Sequence, residues 1–398
     1  MFAERQLRAA LTGLALGGLT LTTLQGTAAA TEAATTKVPA TATRSLTATS
    51  SPVATASPVA TIEDSTARAL ARSLADPTWR KQVAKAALAD QDVDLLALTA
   101  HSGAKPAKDL RTALAKAETD IARAKGLGKD TPSLLRISLA GQSVSGSTLA
   151  KATPLVASAP ADDDAEVIVA YDSAGNAHRL DAAKAPDRPV YIVGIDGQKA
   201  LAAGLEVIDK ELAAKGLGTA ASATASRTAS TTAATSGFWT TRINSISAGD
   251  VEEPWFKGSA EIFTLVTGFG TDGKVRVDTV TMPYLDDENH TYYPNQILVN
   301  WSNYKYNLAD VVLMEDDGDT NYSSLAKALA AVLLTVTDQG AYIPLVNALI
   351  DAMPTSWWTD DPDYVDSFYT LARETTGSRI GASGNVRITV DRYYVSEL

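Results

Sequence analysis

The residues that point most directly to chemistry are the acidic and amide side chains of the stretch "MEDDGDTNY". Asp317, Asp319 and Asn321 occupy alternate positions after an apolar run. Ca²⁺ prefers oxygen ligands, and short alternating Asp and Asn side chains can converge on one point in a tight turn. The stretch is not an EF-hand, because Tyr322 stands where that loop needs Gly and Ala328 where it needs Glu. The spacing therefore predicts a calcium ligand loop of another kind.

Two further acidic stretches could contribute to the same chemistry. Asp361, Asp363 and Asp366 lie in "WWTDDPDYVD" and are predicted to form a second ligand loop, while "YLDDENH" adds Asp286 and Asp287 as weaker candidates. If such loops meet, repulsion between their carboxylates requires a cation or raised pKa values. The alternative is that these acidic turns simply point into water.

Nucleophilic and zinc-dependent catalysis find little support in the sequence. His101, His178 and His290 lie in separate segments, and the H-E-x-x-H pattern of zinc proteases does not occur. Ser324 and Lys327 form an S-x-x-K pattern, but the chain has no Lys-Thr-Gly to accompany it. The enzymatic alternative that stays open is a glycosidase-like extracellular hydrolase acting through paired carboxylates.

An aromatic stretch offers a binding interpretation instead. Tyr292, Tyr293, Trp301, Tyr304 and Tyr306 are close together in the sequence and could form a face on which sugar rings stack. The same residues could equally pack in a core or along a sheet edge.

Composition narrows the classes of partner. The chain has 398 residues, a formal net charge of −11 and no cysteine. An acidic chain is a poor partner for nucleic acid, which requires clustered Lys and Arg. The lack of cysteine excludes disulfides, thiolate metal sites and a cysteine nucleophile.

The first residues have the features of a secretory signal. Arg5 and Arg8 precede an uncharged stretch from Ala9 to Leu24, and an Ala-x-Ala cleavage site ends at Ala30. We expect a secreted, extracellular protein whose mature chain begins near Thr31.

Low-complexity segments rich in Ala, Thr and Ser divide the rest of the chain, because such segments cannot bury enough apolar surface to order themselves. The predicted organisation is a signal peptide at 1–30, a tether at 31–60, a first module at 61–216, a linker at 217–236 and a second domain at 237–398 with a helical insertion at 323–353.

Hydrophobic periodicity predicts an α+β fold. The first module begins with amphipathic helices, one of which carries Leu110, Leu114 and Ile121 on one face, and continues as a small β module. The second domain is predicted to be a mostly antiparallel β-sandwich, in which "AEIFTLVTGF" is a central strand and "NVRITVDRYYV" alternates. The insertion is predicted to be a helical hairpin, since neither half reaches the roughly 20 residues that a membrane span needs.

Several long blocks together resemble a family of exported bacterial proteins that is classified only as a domain of unknown function. These blocks are "EPWFKGSAEIF", "MPYLDDENHTYYPNQILVNW", "ADVVLMEDDGDTNY" and "WWTDDPDYVDSFYTL", with "VAYDSAGNAHRLDAAKAPDRPVYIVGID" upstream. The resemblance covers roughly residue 60 to the end, and it implies export and the two-part layout. It implies no activity and no catalytic residue.

The function predicted from the sequence is non-catalytic binding outside the cell by a calcium-stabilised β-sandwich. The ligand would be an extracellular carbohydrate or protein. We expect no stable membrane span after removal of the signal.

Overall fold

Helix-capping residues and prolines define where the first helices begin. Ser57 caps a helix that opens with Pro58, and Asp76 accepts hydrogen bonds from the N–H groups of Thr78 and Trp79 at the start of the next. The computed structural model describes residues 57–396 apart from 91, 141–145, 147–148, 150–151, 161–164, 185, 218–236, 251–259, 317, 319 and 353–363.

Within those residues the helices are α1 Pro58–Ser73, α2 Pro77–Ala89, α3 Leu95–Ala100, α4 Lys105–Ala124, α5 Gly197–Ala214, α6 Tyr322–Leu333 and α7 Val346–Ala352. The strands of the first half are β1 Val93–Asp94, β2 Leu135–Ala140, β3 Leu155–Ser158, β4 Val167–Tyr171, β5 Ala177–Asp181 and β6 Val190–Ile195. Those of the second half are β7 Gly237–Ala248, β8 Phe263–Phe269, β9 Val275–Thr281, β10 Gln296–Asn300, β11 Leu308–Met314, β12 Tyr364–Ala372, β13 Gly377–Ile380 and β14 Val386–Ser396.

The first half is a six-stranded sheet with helices packed on one face. The strand order is β1-β2-β6-β3-β4-β5, and neighbours are antiparallel except for the parallel pair β3 and β6. Leu70, Leu114 and Ile121 from α1 and α4 join Ile137 and Val193 of the sheet in one hydrophobic cluster. The helix predicted to carry Leu110, Leu114 and Ile121 on one face is confirmed as α4.

The second half contains two four-stranded antiparallel sheets. Their orders are β10-β7-β14-β13 and β12-β11-β8-β9. Strand β8, predicted as central, pairs with β11 on one side and β9 on the other, and all of its residues are buried. Val266 of β8 shares a hydrophobic cluster with Ile246 and Ile388 of the other sheet.

Helices cover the opposite side of the sheet that contains β8. Leu265 of β8 and Val312 of β11 cluster with Leu205 of α5, Leu329 of α6 and Leu349 of α7. The helical insertion predicted at 323–353 thus contributes α6 and α7. Helix α5 is close to α6, since a Cβ added at Gly204 would lie 2.4 Å from the ring of Tyr322.

The α+β class with an N-terminal helical module is confirmed. Strands β7, β9 and β12 do not follow from the periodicity, because Thr, Ser and Asp interrupt their apolar pattern. The described residues lie within one compact unit, and α5 shares its core with the second half. The predicted signal peptide, tether and linker lie outside the described residues, apart from the last residues of the tether, which open α1, and Leu217. None of the described helices is long and apolar enough to cross a membrane.

Candidate functional site

The stretch "MEDDGDTNY" lies where α4 meets the start of α6. Asp317 and Asp319 lie outside the described residues. Asn321 caps α6, since its Oδ1 accepts a hydrogen bond of 2.9 Å from the N–H of Ser324, and its Nδ2 donates to the carbonyl of Ala124 at 2.6 Å. The amide of Asn321 therefore joins the end of α4 to the start of α6.

Asp316, one residue before that predicted ligand loop, forms a buried ion pair with Lys125. The side chains of both residues are 0% exposed. Lys125 Nζ lies 3.3 Å from each carboxylate oxygen of Asp316 and donates to the carbonyl of Gly318 at 2.7 Å. Tyr322 donates its phenolic hydrogen to Asp316 Oδ2 at 2.5 Å. We call these four residues the Lys125–Asp316 junction.

Backbone contacts hold the junction in a fixed arrangement. The N–H of Tyr322 donates to the carbonyl of Lys125 at 2.9 Å. Gly126 has φ +64°, and a Cβ there would lie 2.6 Å from Asn321 Oδ1. Glycine is therefore needed at this position both for its conformation and for the close approach.

The environment of Tyr322 keeps its phenol protonated. Burial, and then the charge of Asp316, raise the pKa of Tyr322 well above its ordinary value. Glu261 and Glu315 also raise it, so further carboxylates lie near the junction. The protonated phenol is a permanent hydrogen-bond donor to Asp316.

The second predicted ligand loop is only partly described. Asp361 and Asp363 lie outside the described residues, whereas Asp366 lies inside strand β12 and is fully buried. Its carboxylate accepts hydrogen bonds from the N–H groups of Ser367, Ser383 and Val386 at 2.7, 2.8 and 2.7 Å. In the structure Asp366 joins the β12 backbone to the turn before β14.

The acidic turn "YLDDENH" is also tied internally. Asp286 accepts a hydrogen bond from the N–H of Ala260, and Asp287 accepts one from the hydroxyl of Tyr292. Asn289 reaches back to β7, donating through its N–H to the carbonyl of Ala248 at 2.7 Å. These contacts anchor the turn against β7.

Across the part of the chain that the structure describes, His, Asp and Glu side chains form no group of three or more arranged to hold a metal ion. Four of the ligand candidates, Asp317, Asp319, Asp361 and Asp363, lie outside the described residues, so the calcium site stays a prediction.

Two carboxylates, Asp209 and Asp278, lie near β9. Burial raises the pKa of Asp209, the charge of Asp278 contributes to that rise, and Asp209 contacts the hydroxyl of Thr279. Asp278 accepts hydrogen bonds from Arg276 and Tyr304. Because successive residues of a strand point to opposite faces, Asp278 and Thr279 direct their contacts to opposite sides of β9.

A surface cleft lies beside the turn "YLDDENH". It has a volume of about 550 Å³ and is lined by Thr281, Pro283, Tyr284, Tyr292, Tyr293, Pro294 and Gln296. Tyr284 and Tyr292 have ring centroids 6.0 Å apart, and Tyr293 is 73% exposed. Gln296 accepts a hydrogen bond from Tyr284 and donates to the carbonyl of Thr281 at 2.8 Å. We call this the tyrosine cleft.

The remaining aromatic candidates are buried or packed inside the protein. Trp301 and Tyr304 are 5% exposed, and Tyr306 packs edge-on against Phe269. The proposed aromatic face therefore divides, with Tyr292 and Tyr293 at the cleft and the other three in packing positions.

Sequence reasoning missed Lys125 and Tyr284. Lys125 lies 191 residues before Asp316, and no local pattern connects a lysine near the end of a helix to a distant acidic turn. Tyr284 lies two residues before Asp286, and that acidic pair was interpreted as calcium ligands. Its nearness in the sequence to Tyr292 and Tyr293 could have indicated a cluster of tyrosines.

Comparison with known proteins gives a family match. The family model described as "Protein of unknown function (DUF3103)" matches residues 66–397. No curated protein and no solved structure matches the chain.

Proposed function

Since the chain belongs to this family of proteins of unknown function, we propose that it is an exported, non-catalytic binding protein whose tyrosine cleft takes a neutral carbohydrate. The observation that carries the proposal is the 73% exposure of Tyr293 beside two further tyrosines and two prolines. Large exposed aromatic residues grouped in a concavity are typical of ligand sites.

The lining of the cleft favours sugars over charged ligands. Aromatic faces stack on the apolar C–H faces of a sugar ring, while the amide of Gln296 can hydrogen-bond its hydroxyls. None of the lining residues carries a formal charge, and the chain as a whole is strongly acidic. Both features favour a neutral oligosaccharide over an anionic one.

Backbone and side-chain hydrogen bonds hold Tyr292 in place within the cleft. Tyr292 pairs with β7, since its N–H donates to the carbonyl of Ile246 at 2.9 Å and its carbonyl accepts from the Ile246 N–H at 3.0 Å. Its hydroxyl is held by Asp287. A platform fixed in this way loses little conformational entropy when a ligand binds.

Calorimetric titration of the mature chain with neutral oligosaccharides tests the proposal. We expect at least one sugar to bind, with Tyr293→Ala weakening its affinity about tenfold, or about 1.4 kcal/mol. Tyr369→Ala is the matched control, because Tyr369 is 45% exposed and lies outside the cleft. Equal affinity of both variants, or no binding by the parent protein, would refute the proposal.

The same samples separate binding from hydrolysis. If the protein is a glycosidase-like hydrolase, the bound oligosaccharide is shortened during incubation, and chromatography of the sugar detects the products. We expect the oligosaccharide to be recovered intact.

A further inference from the structure

We propose that a second concavity, lined by Lys215, Lys274 and Lys305, binds an aliphatic carboxylate, a ligand with one anionic head group and an apolar chain. The concavity has a volume of about 580 Å³, within the roughly 300–1,000 Å³ range of small-molecule sites. We call it the lysine pocket. It shares no residue with the tyrosine cleft, so this inference does not depend on the proposed sugar binding.

Four separate segments of the chain meet at the lysine pocket. Lys215 follows the end of α5, Lys274 lies in the turn between β8 and β9, and Lys305 lies shortly before β11. The fourth segment, residues 333–338, forms the end of α6 and the turn after it. The fold therefore brings ammonium groups from distant parts of the sequence to one concavity.

Positive charges outnumber negative ones in the lining of the pocket, although the whole chain has a net charge of −11. The two acidic lining residues already have protein donors. Asp338 is paired with Lys305 and accepts a hydrogen bond of 2.7 Å from the hydroxyl of Tyr306. Asp272 accepts a hydrogen bond of 3.0 Å from the N–H of Lys274 within its own turn. Of the three lysines, the structure thus neutralises Lys305.

The exposed ammonium groups of Lys215 and Lys274 form no ion pair with any residue that the structure describes. Both residues lie at the carboxyl end of α5. Lys215 is the C-cap of that helix, and a Cβ added at Gly216 would lie 3.1 Å from Lys274 Nζ. The carboxyl end of a helix carries partial negative charge, which favours ammonium groups near it. The fold therefore positions these two charges and leaves them accessible to an anionic ligand.

Aliphatic side chains form the other part of the lining. Leu334 is 53% exposed, and Val336 is half-buried. Leu217, Val275 and Leu333 are at most 2% exposed and belong to the hydrophobic cluster that the pocket adjoins. An apolar chain placed here would remove the exposed surface of Leu334 from water, which is favourable.

The combined lining selects among classes of ligand. An inorganic anion would gain little, because ion pairs with exposed lysines contribute little by themselves. An apolar ligand without negative charge would leave Lys215 and Lys274 without a counter-charge. None of the described residues that line the pocket is aromatic, so a sugar ring has no face on which to stack. A ligand with both an anionic head group and an aliphatic chain uses the whole lining.

Calorimetric titration of the full exported chain with decanoate, below its micelle-forming concentration, tests the proposal. We expect decanoate to bind at least about tenfold more tightly than acetate, which lacks the chain, or decyltrimethylammonium, which carries the opposite charge. Added salt should weaken the binding of decanoate, because salt screens exposed charges.

The charge contribution is measured with the double variant Lys215→Met and Lys274→Met, which removes both ammonium groups and keeps unbranched side chains. We expect its affinity for decanoate to fall about tenfold. The matched control is Lys81→Met with Lys85→Met, because these two lysines are also exposed but lie on α2, outside the pocket. The control should bind decanoate like the parent protein.

The apolar contribution is measured with Leu334→Asn, which should also weaken the binding of decanoate. Its control is Leu88→Asn, because Leu88 is 45% exposed and lies outside the pocket. All of these substitutions are at exposed positions, so we expect each variant to fold.

Failure of the parent protein to bind decanoate would overturn the proposal, as would equal affinities of the two double lysine variants. Acetate binding as tightly as decanoate would show that the chain is not recognised, and decyltrimethylammonium binding as tightly would show that the charge is not. Either result would also overturn the proposal. None of these results bears on sugar binding, because the variants leave the tyrosine cleft unchanged.

Discussion

The Lys125–Asp316 junction and the tyrosine cleft both place carboxylates beside tyrosines, yet one is dry and the other is open to water. At the junction the phenol of Tyr322 points at a carboxylate that already faces a lysine. At the cleft Asp287 accepts a hydrogen bond from the hydroxyl of Tyr292, and Tyr293 extends into solvent. In the junction the polar groups satisfy one another, whereas in the cleft the ring of Tyr293 is 73% exposed.

The difference between the two regions shows when the carboxylates of an acidic stretch serve as hydrogen-bond acceptors inside the fold. Asp286, Asp316 and Asp366 come from three acidic stretches, and each accepts hydrogen bonds from protein donors. Burying a carboxylate is costly unless such donors are supplied. These three carboxylates therefore act as acceptors within the fold, while the exposed ring of Tyr293 offers surface at which a ligand can gain contacts.

The sharpest test of the dry region compares Lys125→Met alone with Lys125→Met combined with Asp316→Leu. Both variants lack the Lys125 amine, so their difference isolates the cost of an uncompensated buried carboxylate. We expect the single variant to be less stable by about 3–5 kcal/mol, since removing one member of a buried pair is far worse than replacing both. Chemical denaturation measures the free energy of unfolding of each.

The control for that comparison is the exposed pair of Lys105 and Asp109, whose side chains are 85% and 64% exposed. Lys105→Met and its double variant with Asp109→Leu should differ by less than about 1 kcal/mol, because exposed pairs contribute little. If the junction pair behaved like this one, its carboxylate would not be desolvated.

The response of the protein to calcium tests whether any of the acidic stretches binds a metal ion. We expect a thermal melt of residues 31–398, stripped with chelator, to shift upward when calcium is added. A ligand at a hundred times its dissociation constant stabilises the folded state by about 2.7 kcal/mol. The shift should vanish when Asp317 and Asp319 are both changed to Ala.

A melt that responds to no divalent ion would contradict the calcium prediction. The three acidic stretches would then be turns whose carboxylates accept hydrogen bonds or face water, and none of them would bind a metal ion. A shift that survives in the double variant would place the ion at other residues.

How far the sequence reaches can be judged from particular elements. Helix α4 and strand β14 were predictable because each has a regular apolar period, and strand β8 because its segment is mostly apolar on both faces. Strand β12 was not, because Asp366 looks like a turn residue until the backbone N–H groups of distant residues are seen to bind it. Acid clusters show composition but not which donors the fold will bring to them.

The candidate sites divide in the same way. Tyr292 and Tyr293 were identified from their sequence neighbourhood, since a cleft formed by one short segment is a local property. The partner of Asp316 was not identifiable, because the contact with Lys125 depends on how α4 and α6 pack across the whole fold.

The smallest predicted change in the free energy of unfolding is that of Tyr293→Ala in the tyrosine cleft, and a small value would itself be informative. Tyr293→Ala should alter the free energy of unfolding by no more than about 0.5 kcal/mol, since exposed side chains contribute little to stability. Tyr304 is 5% exposed and hydrogen-bonds to Asp278, so Tyr304→Ala should cost about 3–5 kcal/mol, as large aromatic truncations in a core do. Chemical denaturation of both variants gives the comparison.

A large loss of stability for Tyr293→Ala would mean that its ring stabilises the fold, and reduced sugar binding by that variant would then no longer identify the cleft. A negligible loss leaves ligand contact as the effect that the same variant reports.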